Sequence, residues 1–246
     1  MTAALVGTGL GYIVLTFLPP LLWLLFYLRE DRHPEPKRLL LLVFLGGMLG
    51  TVPAIFAECG LISFLGQSCR DTTFPSNPLL LLFGISIIEE YTKYFVVKLL
   101  IMRKPDFDEP VDAMIYLITA ALGFATLENV LFLFPIYFHA GMLAGLQLAL
   151  NRFLGANLLH ALSSGIVGYF LARAFFLPKR HHFILLGLII ATLFHTIFNY
   201  LILIQNSLDE GIFYIILLLT TMAVMVLMDF ERLKKNRLLS QPPTLS

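Results

Sequence analysis

Glu89 and Glu90 stand side by side in the middle of an apolar run, residues 78–102, long enough to cross a bilayer. A charged side chain near the bilayer centre costs about 3 kcal/mol or more on insertion scales, so such residues are rare and mark function. On a helix Glu89 and Lys93 share a face at i,i+4, while Glu90 points about 100° away. Carboxylates in such a setting give and take protons, which general acid/base chemistry requires. The bland alternative is a Glu89–Lys93 ion pair that only locks two helices together.

Composition fixes the class. Hydrophobic residues make up 58% of the 246 and charged residues 13%, against about 25% charged in soluble domains. The chain reads as an all-α polytopic membrane protein with about seven transmembrane helices. Its formal net charge of +1 and lack of a basic block interleaved with aromatics argue against nucleic acid as a partner. Before Arg29 there is no Lys or Arg, so the first apolar stretch is expected to remain as a helix rather than serve as a signal peptide.

The expected spans are residues 5–28, 39–57, 78–102, 111–138, 147–176, 183–205 and 212–228, a single transmembrane domain over 1–228, with a tail from 229 to 246. Pro19 and Pro20 are expected to kink or break the first span. Gly46, Gly47 and Gly50 allow close helix contact in the second. No internal repeat appears, and the spans leave no room for a soluble domain.

Lys and Arg concentrate in the loops after spans one, three and five and in the tail, whereas the opposite loops offer Arg70 and little else. The positive-inside rule then puts the N-terminus outside and the C-terminus in the cytoplasm. The loop 58–77 holds Cys59 and Cys69 on the outer side, where a disulfide persists; two free thiols are the alternative.

With that frame, depth is counted along each span. Glu89 lies about ten residues from the outer end of its span, or ~15 Å. Glu128 is again about ten from its outer end, His160 about twelve or thirteen, and His195 about ten, with Asn199 one turn further out on the same face. Four helices thus bring Glu, Glu, His and His-plus-Asn to one level, where unrelated structural residues would scatter. Supporting positions lie nearby: Lys93, Phe124 one turn from Glu128, Asn129 beside it, and Asn157, Ser163 and Ser164 around His160. Arg152 near the outer end of span five either snorkels to the interface or binds a substrate carbonyl or carboxylate.

No Ser occupies a Gly-x-Ser-x-Gly setting, and neither Cys lies in a span core, which disfavours nucleophilic catalysis. His-Glu-x-x-His is absent, so the usual zinc protease helix is missing. A glutamate as general base on a water, with His and Asn donating to a developing oxyanion, remains. The catalytic candidates are Glu89, Glu90, Glu128, His160, His195 and Asn199, with Glu89 favoured as base. No cofactor is expected, although His160, His195 and Glu128 would be the ligands of a zinc ion if one were used.

These blocks resemble a known family. Glu89-Glu90-Tyr91-Thr92-Lys93 matches a Glu-Glu-x-x-Lys motif. Asp108-Glu109-Pro110-Val111-Asp112-Ala113 with Gly123-Phe124-Ala125-Thr126-Leu127-Glu128-Asn129 looks like a second block, and His160-Ala161 and His195-Thr196-Ile197-Phe198-Asn199 like a third and fourth. Residues 27–38 resemble the family's first loop. The family is that of the PrsW bacterial intramembrane proteases, related to the glutamic-type CAAX-processing and bacteriocin-processing proteases. The relatives of the CAAX type carry Phe-x-x-x-His where this chain has Phe124-x-x-x-Glu128. The resemblance implies endoproteolysis of a membrane-anchored protein substrate, such as an anti-sigma factor in a stress response, by a multi-pass protein of the bacterial inner membrane. A proton-coupled transporter would also use buried Glu and His, but such proteins show repeats or paired broken helices. A catalytically idle receptor or chaperone is the third class.

The topology has a direct test. Cysteines introduced at Asp108 and Lys235 are expected to resist membrane-impermeant thiol reagents in intact cells, while those at Ser76 and Asn206 react. The opposite labelling pattern inverts the orientation but not the alignment in depth.

Overall fold

The computed structural model describes residues 2–69, 77–173, 180–205 and 211–240, and within them the chain is helical with no strand. Arg70, Ser76, Pro178, Lys179, Asn206 and the end of the tail lie outside the described residues. The helices are α1 (Thr2–Tyr27), α2 (Lys37–Phe64), α3 (Pro78–Leu100), α4 (Pro110–Pro135), α5 (Met142–Leu154), α6 (Ala156–Arg173), α7 (Arg180–Ile204) and α8 (Gly211–Ser240). Among the described residues six stretches are long and apolar enough to cross a membrane, α5 and α6 counting together as one, Met142–Arg173. The seventh long helix, α3, is set apart by the charges of Glu89, Glu90, Lys93 and Lys98. The architecture is polytopic and all-α.

At the centre lies α4. Every residue from Pro110 to Thr126 is buried, as expected of a helix that is apolar all round. One neighbour, α2, approaches it through two glycines: an added Cβ at Gly47 of α2 would run into the Ala120 backbone, and one at Gly123 of α4 into the Phe44 carbonyl. Gly46 and Gly50 instead face Leu100, Val96 and Thr92 of α3, so the small residues of α2 serve two neighbours at once. Helices in lipid lack a hydrophobic drive to associate and depend on such close packing.

Several boundaries differ from the sequence expectation. The Pro19-Pro20 pair does not break α1, which is continuous through both. Pro20 has no N–H to give the Thr16 carbonyl, and the Asn129 amide of α4 donates to that carbonyl at 3.2 Å instead; a neighbouring helix re-satisfies the freed group. The span expected at 147–176 is divided at Gly155, where the backbone leaves the helical region (φ −103°, ψ −94°). α2 runs to Phe64, two turns beyond the expected end, so Glu58 and Cys59 are helical. Cys59 is bonded to Cys69, with Cα atoms 5.2 Å apart. α8 continues through the charged tail as far as Ser240, held by Lys234 to Glu231 and Glu30 and by Arg232 to Asp229.

The same end of the bundle is also tied by the loop after α1. Glu35 is buried and accepts a hydrogen bond from the Tyr116 hydroxyl of α4. Burial pushes its carboxyl above the ordinary carboxylate range, partly offset by that hydroxyl.

Gly123→Ala is expected to destabilise the protein by about 1–3 kcal/mol, since overpacking against backbone outweighs the gain in helix propensity. Gly60→Ala, where a Cβ meets nothing within 4 Å, is expected to be neutral or stabilising by up to ~1 kcal/mol. Thermal unfolding in one detergent checks the opposite signs.

Candidate active site

Lys93 is completely buried. Its ammonium donates to Glu90 Oε1 at 2.8 Å and to His160 Nδ1 at 2.7 Å, and lies 3.5 Å from Glu89 Oε2. It also sits over the Phe124 ring, 5.0 Å from the centroid. The sequence expectation paired Lys93 with Glu89 at i,i+4; the tighter partner is Glu90 at i,i+3, which is equally a helical neighbour.

Glu90 is the saturated carboxylate. Its Oε1 accepts from Lys93, from the Ser163 hydroxyl at 2.9 Å and from His195 Nδ1 at 2.8 Å, and its Oε2 from Ser164 at 3.3 Å. Glu89 is held more loosely and lines a cavity of about 400 Å³. His160 Nδ1 and His195 Nε2 each lie 3.7 Å from Glu89 Oε2.

Each imidazole is fixed from behind by a carboxylate. His195 Nδ1 faces Glu90, and His160 Nε2 faces Glu128 Oε2 at 2.8 Å. Because His160 Nδ1 accepts from Lys93, its Nε2 carries the proton that goes to Glu128. Arg152, on α5, donates to Glu128 Oε2 at 3.1 Å and to the Asn129 side-chain oxygen, and lies over the Phe132 ring. It braces Glu128. The break at Gly155 separates α5, which carries Arg152, from α6, which carries His160.

Glu89, Glu90, Lys93, Phe124, Glu128, His160 and His195 thus converge, and Asn199 lines the same cavity one turn beyond His195. Among the described residues the Asn199 amide has no hydrogen-bond partner. Asn157 is buried, and neither polar atom of its amide has a partner; it does not line the cavity, and nothing in the structure explains it. Glu58 was missed. It lines the cavity from α2, and it sits at i+3 from Ile55 and i+7 from Thr51, both also in the wall. The signal was the apolar run from Gly60 to Phe64, which extends the helix past it.

A model of the family described as PrsW family intramembrane metalloprotease matches residues 35–228. The chain belongs to the PrsW protease family. Proteins named Protease PrsW are similar over most of its length: 30% identical over 179 residues in Geobacillus kaustophilus (72% of this chain, 73% of the relative). The Bacillus subtilis relative is 27% identical over 194 residues (78% and 80%). The Clostridioides difficile relative is 25% identical over 231 residues (92% and 91%). No solved structure matches. This PrsW family member is a multi-pass bacterial membrane protein and an intramembrane protease.

The family description names a metal, and the donor set here fits one in kind. Glu89, His160 and His195 offer one oxygen and two nitrogens all within 4.8 Å of one another, and a carboxylate behind each ligating imidazole is the usual supporting arrangement. The group is not the one expected from sequence, which included Glu128; Glu128 stands behind His160, and Glu89 takes the third place. Against this fit, His160 Nδ1 already accepts from the Lys93 ammonium.

Removing the ammonium leaves buried carboxylates without their cation. Lys93→Met is expected to cost about 3–5 kcal/mol, the loss typical of breaking a buried pair from one side. The double variant Glu90→Gln/Lys93→Met recovers part of it. Unfolding temperatures of the two variants check this.

Proposed function

We propose that this chain is an endopeptidase hydrolysing a peptide bond of a membrane-anchored protein by a water activated at Glu89. The observation that carries this reading is the position of Glu89 Oε2 on the cavity wall, 3.7 Å from a nitrogen of each histidine. A water there loses a proton to Glu89 as its oxygen attacks the peptide carbonyl carbon. Charge developing on the carbonyl oxygen is met by the Asn199 amide and by His195, whose Nε2, when protonated, donates while Glu90 neutralises the ring from Nδ1. Glu89 then delivers its proton to the amide nitrogen as the C–N bond breaks, giving a carboxylic acid and an amine. Glu128, Arg152 and Asn129 hold His160 in register.

The cavity supports an outward-facing site. Its walls away from Glu89 are Glu58 near the end of α2, Leu82 near the start of α3, Phe132 of α4 and Arg152 of α5, all toward the end of the bundle that carries the Cys59–Cys69 bridge. That end belongs outside if the N-terminus is outside and the C-terminus cytoplasmic, as the charge bias argues. An anti-sigma factor is the substrate class suggested by the family resemblance.

A second reading is favoured by the donor set. Glu89, His160 and His195 would hold a zinc ion, which supplies a Lewis acid for the carbonyl and a more acidic bound water. The metal-free reading is preferred because the Lys93 ammonium already meets both glutamates and His160.

Protein stripped with a strong chelator and reconstituted in liposomes is expected to keep cleaving a single-span substrate. His195→Ala or Asn199→Ala is expected to lose ~100-fold or more in kcat, the usual loss for one oxyanion donor. Activity that vanishes on stripping and returns with stoichiometric zinc replaces the first reading with the second.

A further inference from the structure

Glu58 belongs to none of the roles above. It is half-buried on α2, and among the described residues it has no hydrogen-bond or ion-pair partner. It shares the cavity with Glu89 and Glu128. The cation in this wall, Arg152, is already engaged with Glu128 and Asn129, and Lys93, buried behind the wall, with Glu90, Glu89 and His160. Among the described residues Glu58 is the carboxylate of this wall with no cation in contact.

The register of α2 against α3 fixes its level. These helices run antiparallel, with Gly46 against Leu100, Gly50 against Val96 and Gly84 against Leu61. Three residues back from Leu61, Glu58 falls level with Ile87, two residues from Glu89, or ~3 Å along the helix axis. An extended peptide advances ~3.3 Å per residue, so a substrate whose scissile carbonyl lies at Glu89 brings the side chain one or two residues away past Glu58.

We infer that Glu58 is a specificity residue that receives a lysine or arginine side chain of the substrate, one or two residues from the scissile bond. This rests on the protease reading and narrows its substrate class. An uncompensated carboxylate in a partly dry wall favours a cation that can neutralise it, and disfavours an acidic side chain brought to the same place.

The test uses full-length protein in liposomes and a single-span reporter peptide that it cuts, with each residue near the cut replaced in turn by Lys, Gln or Glu. Wild type is expected to prefer Lys over Gln by about tenfold at one position within two residues of the cut, and to cut the Glu peptide worst. Glu58→Gln is expected to abolish that ratio, and Glu58→Lys to reverse it in favour of the Glu peptide, a rescue that a misfolded protein cannot give. An unchanged Lys-to-Gln ratio in Glu58→Gln, or an equal loss on all peptides, overturns the inference while leaving the protease reading intact. Wild type that cuts no peptide at all overturns both.

Discussion

The site depends on one buried ammonium. Lys93 is surrounded by α3, α4 and α6 and has no exposed surface, so its charge is tolerable only because two carboxylates and an imidazole meet it. That contact also makes two adjacent glutamates unlike. Glu90 is saturated by Lys93, His195 and two serine hydroxyls, which makes it a structural anion. Glu89 keeps one long contact to Lys93 and faces the cavity. Adjacent residues on a helix point about 100° apart, and that angle is enough to send one carboxylate into the bundle and the other to its cleft.

The scaffold reaches this centre through unbroken polar links. The carbonyl of Thr16, freed by Pro20, accepts from the Asn129 amide; the Asn129 oxygen accepts from Arg152; Arg152 also donates to Glu128; and Glu128 accepts from His160. The proline pair of α1 is therefore connected to a histidine of α6 by groups that each satisfy another. Glycines bring α2 and α6 against α4, where Gly168 lies on the Met114 backbone. Without those close approaches the side chains of four helices would not meet at one level.

Much of this was legible in the sequence because apolar length and buried charge are strong signals. Seven long helices follow from the apolar runs, and counting depth along them aligns Glu89, Glu128, His160 and His195. What failed was local. The end of α2 was set too early because Glu58 and Cys59 read as loop residues, and this hid a residue of the cavity wall. Pro19-Pro20 was expected to kink or break α1 and does not break it, since a sequence does not reveal which neighbour will satisfy a freed carbonyl. The Glu89–Lys93 pair expected at i,i+4 is present at 3.5 Å, but the tighter pair with Glu90 at i,i+3 was not foreseen, because the two spacings are equivalent until the third helix, here His160 and Ser163, selects between them.

The unlike roles of the two glutamates are the centre of this account, and paired measurement of turnover and unfolding temperature in Glu89→Gln and Glu90→Gln addresses them most directly. Glu89→Gln is expected to unfold near the wild-type temperature while kcat falls by ~100-fold or more, as for loss of a general base. Glu90→Gln is expected to unfold at a clearly lower temperature, because Lys93 and His195 lose their shared anion. Near-normal turnover in Glu89→Gln, or an unperturbed unfolding temperature in Glu90→Gln, would contradict it.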